Sequence, residues 1–323
     1  MYTILLGASA DDRKSECIKQ TMNLFSETMS LFSAIQDSNV CLGVGSAEGL
    51  AERLKKYPKT ILVYDEFKTF VSKAMIETSV LLQCVNTLFE NTRFHSHVKG
   101  HSIEVDSGYL SIIGASTVET FQRMWTPAFT DIGFINRLWL VPDHGERKFS
   151  IPSPIPENIK RDLREKLLSF LNALPKAQTV LEVTPEAFEI FDEWYLRIPQ
   201  SIFTKRLDTY GHRLMILFCG NENKTKVTPD ITERVVRLLE WQRRVREEND
   251  VIDAEGRIAR MEENIRRALK RNPQGITRRE LQRVTNYNRG GTFVWNTAVN
   301  NLLKEEVFFD NKRQIYRFKE GGF

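Results

Sequence analysis

Four side chains in the first 66 residues have the types and spacing needed to handle a nucleoside triphosphate. Lys14 and Ser15 follow an apolar run that breaks at Gly7, and Asp65 and Glu66 directly follow a second apolar run. A lysine ammonium can reach the outer phosphates, and a serine hydroxyl can ligate Mg2+. An acidic pair at the end of a neighbouring strand can hold the metal and polarise an attacking water. The spacing therefore predicts Lys14 on phosphate, Ser15 and Asp65 on Mg2+, and Glu66 as catalytic base.

The segment that leads into Lys14 is expected to form a phosphate-binding loop. Backbone N–H groups and the positive end of a helix offset phosphate charge there. The residues expected to contact the nucleotide are Gly7, Ala8, Ser9, Asp12, Arg13, Lys14 and Ser15. The usual pattern has glycine directly before the lysine, where this chain has Arg13. Two alternatives stay open: a degenerate ATPase scaffold, which Arg13 alone supports, and an acidic pair that is only a solvated strand end.

Two later segments extend the predicted site. Residues 109–115 form another strand-like run, and Thr117 follows it where a polar side chain could sense the γ-phosphate. Residues 133–142 predict a fifth strand with Arg137 near its start. A guanidinium there could stabilise phosphoryl charge on the nucleotide of a neighbouring subunit. The alternative is a surface ion pair. A role in trans needs a second copy, so it predicts a ring.

The elements that position these residues can be predicted from the order of strand-like and helical runs. Residues 2–142 alternate between the two, which favours a parallel sheet with helices on both faces. A proline-rich extended stretch then leads into a helical region that ends near residue 249. We interpret that region as a helical lid whose Arg206 and Arg213 are candidates to touch bound nucleotide, although each taken singly can be structural. The predicted domains are a P-loop ATPase core over 1–150, a helical lid over 151–255 and a third module over 256–323.

The third module is basic and is predicted to be a winged helix. Residues 256–323 carry 15 Lys and Arg against 7 Asp and Glu, a net of +8, whereas residues 1–255 carry 31 against 35. Three helical segments and then a hairpin are typical of that fold, and excess positive charge attracts DNA. The residues expected to contact DNA here are Arg289, Asn296, Lys312 and Arg313. A protein-docking module and a solvated basic face are the alternatives.

Three strings carry a resemblance to a known family: Gly45–Leu50, Leu62–Phe67 and Gly133–Leu138. In this order and spacing they resemble P-loop ATPases of prophages, plasmids and genomic islands, which are often linked to primase domains. That family is similar to replicative helicases of the AAA+ and superfamily 3 type. A phosphate loop ending in Arg-Lys-Ser is common in it, which accommodates Arg13. The resemblance covers roughly residues 1–250.

The resemblance implies an α/β fold of the P-loop NTPase type, AAA+ or RecA-like, with ATP and Mg2+ as cofactors. Its implied partners are DNA, a primase, and further copies of the chain in a ring such as a hexamer. The implied function is an ATP-dependent helicase or translocase motor in the replication of a mobile genetic element. The alternative is an ATP-switched DNA-binding loader or regulator without unwinding. An upstream adenine-contacting or primase segment is expected to be absent or to lie outside this sequence.

A hairpin is predicted over residues 93–105, where the pattern alternates and turns near Lys99. In superfamily 3 helicases such a hairpin projects into the central channel, and by that resemblance His97, Lys99 and His101 are candidates to contact DNA. A plain surface hairpin is one alternative. A metal site is another, but no acidic or cysteine partner lies at zinc spacing.

Composition excludes several classes of protein. The chain has 323 residues, 41% of them hydrophobic, and no run approaches the 18 apolar residues of a membrane span. No signal peptide is recognisable, so we expect a cytoplasmic location and no membrane partner. The four cysteines are scattered without a CxxC pair, which argues against both a zinc site and a disulfide framework.

Overall fold

The computed structural model describes residues 1–8, 13–31, 38–98, 101–126, 129, 131–143, 153–174, 179–249, 257–285, 287 and 291–319. The chain divides into two compact units, Met1–Met124 with Ala128–Asp250, and Trp125–Pro127 with Val251–Phe323. Within the described residues, no helix combines the length and the apolar content needed to cross a bilayer.

The first unit mixes strands and helices along its whole length. Its strands are β1 (Tyr2–Gly7), β2 (Ser38–Cys41), β3 (Lys59–Tyr64), β4 (Phe94–Val98), β5 (His101–Val105), β6 (Tyr109–Thr117), β7 (Trp139–Pro142), β8 (Glu182–Val183) and β9 (Lys226–Val227). Its helices are α1 (Lys14–Leu31), α2 (Ala47–Lys56), α3 (Lys68–Ala74), α4 (Leu81–Leu88), α5 (Val118–Arg123), α6 (Glu157–Ala173), α7 (Pro185–Arg197), α8 (Leu207–Asn221) and α9 (Pro229–Glu248).

Five parallel strands form the central sheet, in the order β2-β3-β6-β1-β7. The prediction of an α/β fold around a parallel sheet is therefore confirmed. Because all five strands run the same way, their C-terminal ends share one edge, which we call the carboxyl edge. Their N-terminal ends share the opposite edge, the amino edge.

Side-chain alternation explains why this sheet is covered by helices. Tyr2, Ile4 and Leu6 of β1 are fully buried on one face, where the Phe67 ring lies against Ile4 and Gly114. On the other face, Ile18 of α1 packs with a small cluster that includes Val63, Ala115 and Leu5. Alternation in the strands thus gives each face of the sheet apolar side chains. The apolar faces of α1 and α3, whose residues recur at helical spacing, pack against them.

The helical region packs against the amino edge. The pairs Thr184-Pro185 and Thr228-Pro229 predict helix starts, and α7 and α9 begin at those prolines. Tyr210 of α8 donates to the carbonyl oxygen of Arg137 at 2.7 Å. Gln242 of α9 accepts from the backbone N–H of Leu140 at 3.1 Å. Helices α8 and α9 are therefore fixed to the backbone around the start of β7.

The second unit is a small helical and β assembly with its own core. It contains α10 (Arg257–Arg271), β10 (Ile276–Thr277), α11 (Arg278–Val284), α12 (Thr292–Glu305), β11 (Val307–Asp310) and β12 (Ile315–Phe318). The strands form an antiparallel sheet in the order β10-β12-β11. The buried Trp295 is the largest fully buried side chain of the core. Three helices followed by a hairpin occur where the sequence predicts them.

Candidate nucleotide site and candidate DNA interface

The carboxyl edge brings the predicted nucleotide residues of three strands together. Gly7 ends β1 and is paired with Thr117 at the end of β6. Asp65 and Glu66 directly follow β3, which is the other neighbour of β6. Neighbouring strands are about 4.8 Å apart, so the acidic pair lies roughly two strand spacings from the end of β1.

This edge also contains a topological switch point between β1 and β6. The connection from β1 passes over β6 and β3 to reach β2, whereas the connection from β6 passes over β1 to reach β7. The two connections therefore leave in opposite directions. In open parallel sheets, ligands bind in the crevice that such a divergence creates at the carboxyl ends of the strands.

Lys14 and Ser15 lie in the first turn of α1, beside the end of β1. Lys14 is half-buried as a residue, and its ammonium donates to the Ala8 carbonyl oxygen at 2.5 Å in an exposed hydrogen bond, while Ser15 is exposed. The lysine charge is thus held at the carboxyl edge, close to where β1 ends. Ser9 and Asp12, two other predicted contacts, lie outside the described residues.

Arg13 has the backbone conformation that usually belongs to glycine. Its φ is 44°, in the left-handed region, and its carbonyl oxygen accepts the first helical hydrogen bond from Cys17 at 3.0 Å. A left-handed backbone costs a residue with a Cβ roughly 1–2 kcal/mol. The position at which the usual pattern has glycine therefore has a backbone conformation that glycine adopts without strain, although the residue here is arginine.

The acidic pair is fixed in place by the residue that follows it. The Phe67 N–H donates to the Ala115 carbonyl oxygen at 2.8 Å, and the Phe67 side chain is fully buried. Gly114 leaves the room for that ring, since a Cβ at this position would lie 2.9 Å from Phe67 Cδ2. Asp65 and Glu66 are exposed, and the described part of the chain gives neither carboxylate a hydrogen-bond or ion-pair partner. Both are therefore open to a metal ion or water.

Thr117 is already engaged as a helix cap. Its hydroxyl accepts from the Thr120 N–H at 3.1 Å and donates to Thr120 Oγ1 at 2.9 Å, which starts α5. A hydroxyl oxygen has a second lone pair. Sensing of the γ-phosphate by Thr117 stays a prediction, and it would have to use that remaining acceptor or follow a change in the cap.

The donor set at the carboxyl edge fits Mg2+. Ser15 and Asp65 supply oxygen ligands, which this ion prefers, and Mg2+ in nucleotide sites usually takes one or two protein ligands with phosphates and waters. Across the residues that the structure describes, no group of three or more His, Cys, Asp or Glu side chains could hold a metal ion by itself. The described residues therefore contain no metal site made entirely of such side chains.

Arg137 lies at the amino edge, in a 3-10 turn (Ile135–Arg137) ahead of β7, which starts later than the sequence predicts. Its guanidinium donates to the carbonyl oxygens of Gly133 at 2.9 Å and Ile132 at 3.2 Å. Glu90 Oε2 lies 3.8 Å from it. Burial, above all, lowers the pKa of Arg137.

Two further arginines lie beside Glu90. Arg206, whose own φ of 66° is left-handed, forms an ion pair with Glu90. Arg213 donates to the Phe89 carbonyl oxygen, and its guanidinium carbon lies 4.0 Å from the centre of the Phe89 ring. Both side chains lie at the amino edge. Arg213 acts electrostatically on the N-terminus of Met1, just before β1, whereas Lys14 follows the other end of that strand. The six residues of β1 span about 20 Å. A role of Arg213 at a nucleotide stays a prediction, and it would need the nucleotide of another copy.

Sequence reasoning missed the residues that hold this region, Glu90, Tyr210 and Arg246. The Arg246 guanidinium donates to the carbonyl oxygens of Asn136 at 2.9 Å and Leu138 at 3.1 Å, and to two more in the turn before α8. Burial lowers its pKa to about 10. A signal was available for Arg246, because it continues the apolar stripe of α9 at helical spacing. A polar residue on such a stripe predicts a buried hydrogen-bonding role.

The predicted hairpin of the first unit is present. Strands β4 and β5 pair antiparallel, with His97 opposite Ser102. His97 is exposed, and the neighbouring His95 lies 3.7 Å from Asp106. His101 starts β5, and Lys99 lies outside the described residues. The DNA contacts predicted here stay predictions.

The second unit presents several of the predicted DNA residues. Lys312 and Arg313 lie in the exposed turn between β11 and β12, where their N–H groups donate to Asp310 Oδ1 at 2.9 Å and 3.1 Å. Asn296 lies on α12 and accepts from Arg278. Arg289 lies outside the described residues.

No protein-family model matches the chain, and no curated protein matches it. The functional interpretation therefore depends on the geometry of the two edges of the sheet and on the charge of the second unit.

Proposed function

We propose that the first unit binds and hydrolyses ATP with Mg2+, and that the chain uses this reaction to move on DNA. The observation that carries the proposal is the carboxyl edge, where the Lys14 cation and the exposed carboxylates of Asp65 and Glu66 flank the β1/β6 switch point. Among the described residues, neither carboxylate has a hydrogen-bond or ion-pair partner. Lys14 would bind the outer phosphates, Asp65 with Ser15 would hold Mg2+, and Glu66 would orient the attacking water.

The connection from β1 into α1 supports the same assignment. A strand, a loop and a helix whose first residue is lysine form the arrangement by which P-loop proteins bind phosphate. The resemblance to primase-linked ATPases of mobile elements belongs to this proposal. Two of its strings lie next to the site's elements, with Ser46 as the N-cap of α2 and Asp65-Glu66 after β3.

We further propose a ring in which Arg137 acts on the nucleotide of the next copy. The support is that Arg137 and Lys14 lie at opposite edges of the sheet, because Arg137 precedes β7 whereas Lys14 follows β1, its parallel neighbour. A head-to-tail contact joins two different surfaces of adjacent copies, and so can bring an amino edge to a neighbour's nucleotide. Arg137 and Arg206 both pair with Glu90 there, and Arg213 contacts the adjacent Phe89. Arg137 would exchange Glu90 for phosphate.

DNA binding is assigned by this proposal to the second unit and to the β4–β5 hairpin. The second unit has the helix order and hairpin of a winged helix, and residues 256–323 have a net charge of +8. The resulting function is a helicase or translocase motor for the replication of a mobile element. A loader that uses ATP only as a switch is the competing function.

The test measures ATP binding, ATP hydrolysis and strand displacement on a forked duplex. We expect Lys14→Ala to lose ATP binding and Glu66→Gln to bind ATP without hydrolysing it or unwinding DNA. Lys19→Ala and Glu52→Gln are matched controls, since both residues are exposed and lie away from the carboxyl edge. Hydrolysis without displacement would favour the loader. A wild-type chain that neither binds nor hydrolyses ATP would overturn the proposal.

A further inference from the structure

Two side chains from adjacent helices of the second unit form a hydrogen-bonded pair. Arg278, the first residue of α11, donates through Nη2 to Asn296 Oδ1 of α12 at 3.2 Å. A guanidinium can only donate hydrogen bonds, so the amide atom that it contacts must be the oxygen. The contact therefore fixes the orientation of the Asn296 amide, and the described residues give its Nδ2 group no partner.

The pair is held in place before any ligand binds. The Arg278 guanidinium carbon lies 5.2 Å from the centre of the Trp295 ring. Trp295 itself is 1% exposed, and its indole N–H donates to the buried Thr285 hydroxyl at 3.1 Å. Stacking on a ring that cannot move restricts the guanidinium.

The pair lies on the outward face of α12. Trp295, Val299 and Leu302 form the buried face, whereas Phe293 and Asn300 are exposed, one turn before and one turn after Asn296. α12 is the third helix of the unit, and in helix-turn-helix and winged-helix proteins the recognition helix contacts base edges in the major groove through its N-terminal part. Asn296 is the fifth residue of α12.

The hydrogen bond changes what Asn296 can recognise. A free asparagine reads adenine by donating to N7 and accepting from the N6 amino group. Arg278 takes one of the two lone pairs of Asn296 Oδ1 and places a positive charge beside that oxygen, which disfavours an approaching amino donor. Asn296 Nδ2 and the remaining guanidinium N–H groups are all donors. Guanine is the base that presents two adjacent acceptors, N7 and O6, in the major groove, whereas cytosine presents a donor and thymine a single acceptor.

We infer that Arg278 and Asn296 form a donor-rich pair that makes the second unit prefer guanine at one position of its DNA site. Arg278 contributes its own donors and also converts Asn296 from an adenine-reading to a guanine-reading residue. This inference rests on the proposed binding of DNA by the second unit.

The test uses the full chain and a randomised duplex library, with sequencing of the bound DNA. We expect the wild type to prefer guanine at one position by about tenfold. Asn296→Ala should reduce that preference, and Asn296→Asp should also reduce it, because the carboxylate keeps the bond to Arg278 but lacks a donor. Arg278→Ala frees Oδ1 and should shift the preference towards adenine. Arg279→Ala removes an exposed neighbouring cation and should weaken binding to all sequences alike.

The possible outcomes distinguish failure of the guanine preference from failure of the proposed DNA binding. Salt-dependent DNA binding with no guanine preference, or with a preference that the Arg278 and Asn296 variants leave unchanged, would overturn the inference alone. The absence of DNA binding by a folded wild-type chain would overturn both. Thermal unfolding of each variant separates lost recognition from lost folding.

Discussion

At the scale of single residues, Arg13 has a left-handed backbone at the position where the usual phosphate-loop sequence has glycine. Its φ of 44° belongs to the region that glycine occupies without strain. We expect Arg13→Gly to retain ATP binding, because glycine adopts this conformation freely. Arg13→Val should weaken it about tenfold or more, since a β-branched residue strongly resists positive φ. Titration with a fluorescent ATP analogue measures both.

The control for Arg13 is Lys19→Val, which places the same β-branched residue on the exposed side of α1. Equal affinity of Arg13→Val and wild type would mean that nucleotide binding does not need the left-handed backbone. Loss of binding in Arg13→Gly as well would instead assign the effect to the arginine side chain.

Gly114 gives a second prediction at this scale. A methyl group there would lie 2.9 Å from Phe67 Cδ2 and 3.2 Å from Ile4 Cδ1. We expect Gly114→Ala to destabilise the fold by about 1–3 kcal/mol, as overpacking does, and to slow ATP hydrolysis by displacing the segment that carries Asp65 and Glu66. Thermal unfolding and ATPase assays check this. Gly45→Ala is the matched control, because a Cβ there meets nothing within 4 Å.

The positions of the carboxyl-edge residues could be predicted because each lies at the end of a strand or starts the helix after it, and the ends of neighbouring parallel strands lie together. Glu90 could not. Its ion pair with Arg206 joins side chains 116 residues apart, and the pairing depends on how α8 packs against the sheet. No local pattern encodes that packing, so the sequence does not predict Glu90 as a partner of the amino-edge arginines.

At the scale of elements, Arg266 joins α10 to the residue that follows α12. Its Nε and Nη2 donate to the two carboxylate oxygens of Glu306 at 2.8 Å and 2.7 Å. The hydrogen bonds from Arg266 lower the pKa of Glu306. A carboxyl group whose pKa is lower in the folded state stabilises that state above its ordinary pKa, and the contribution disappears as the pH falls through the lowered value.

We therefore expect Glu306→Gln to cost about 1 kcal/mol or less at neutral pH. The difference from wild type should shrink as the pH falls below about 4. Denaturant unfolding at neutral pH and below about pH 4 measures the difference in the free energy of unfolding. In the reciprocal variant Arg266→Gln, the further change Glu306→Gln should add little, and fully additive effects would show that the two side chains do not interact.

The types of the elements could be predicted well where residues close in sequence mark their starts and ends. Threonine followed by proline marks the starts of α7 and α9, and glycine-containing turns separate the helices of the second unit. The fifth strand was expected to begin at residue 133, yet β7 begins at Trp139. The Arg246 and Tyr210 contacts hold the preceding residues in a 3-10 turn, and those contacts come from helices far along the chain.

At the scale of the whole molecule, charge is concentrated in the second unit. We expect the double variant Lys312→Ala and Arg313→Ala to weaken duplex binding uniformly and to reduce the slope of log K against log salt by about 2, since each phosphate contact contributes about 0.9. Titrations at several salt concentrations measure the slope. Lys55→Ala, an exposed lysine of the first unit, should leave it unchanged.

The proposed trans role of Arg137 predicts complementation. Lys14→Ala lacks a working nucleotide site but keeps Arg137, whereas Arg137→Ala has the opposite defect. Each should be inactive alone, and mixing them should restore part of the ATPase activity. Arg137→Lys serves as a second variant, because it keeps a cation at this buried position. Full activity of folded Arg137→Ala by itself would contradict the trans role.

The separation of the two edges has a consequence for how active sites are counted. If catalysis joins the carboxyl edge of one copy to the amino edge of the next, an open arc always ends in one unassisted nucleotide and one unused arginine. An open arc of any length therefore has one complete catalytic centre fewer than it has chains. Closing the circle supplies that centre without a new residue, so turnover per chain should rise with concentration until closure and then level off.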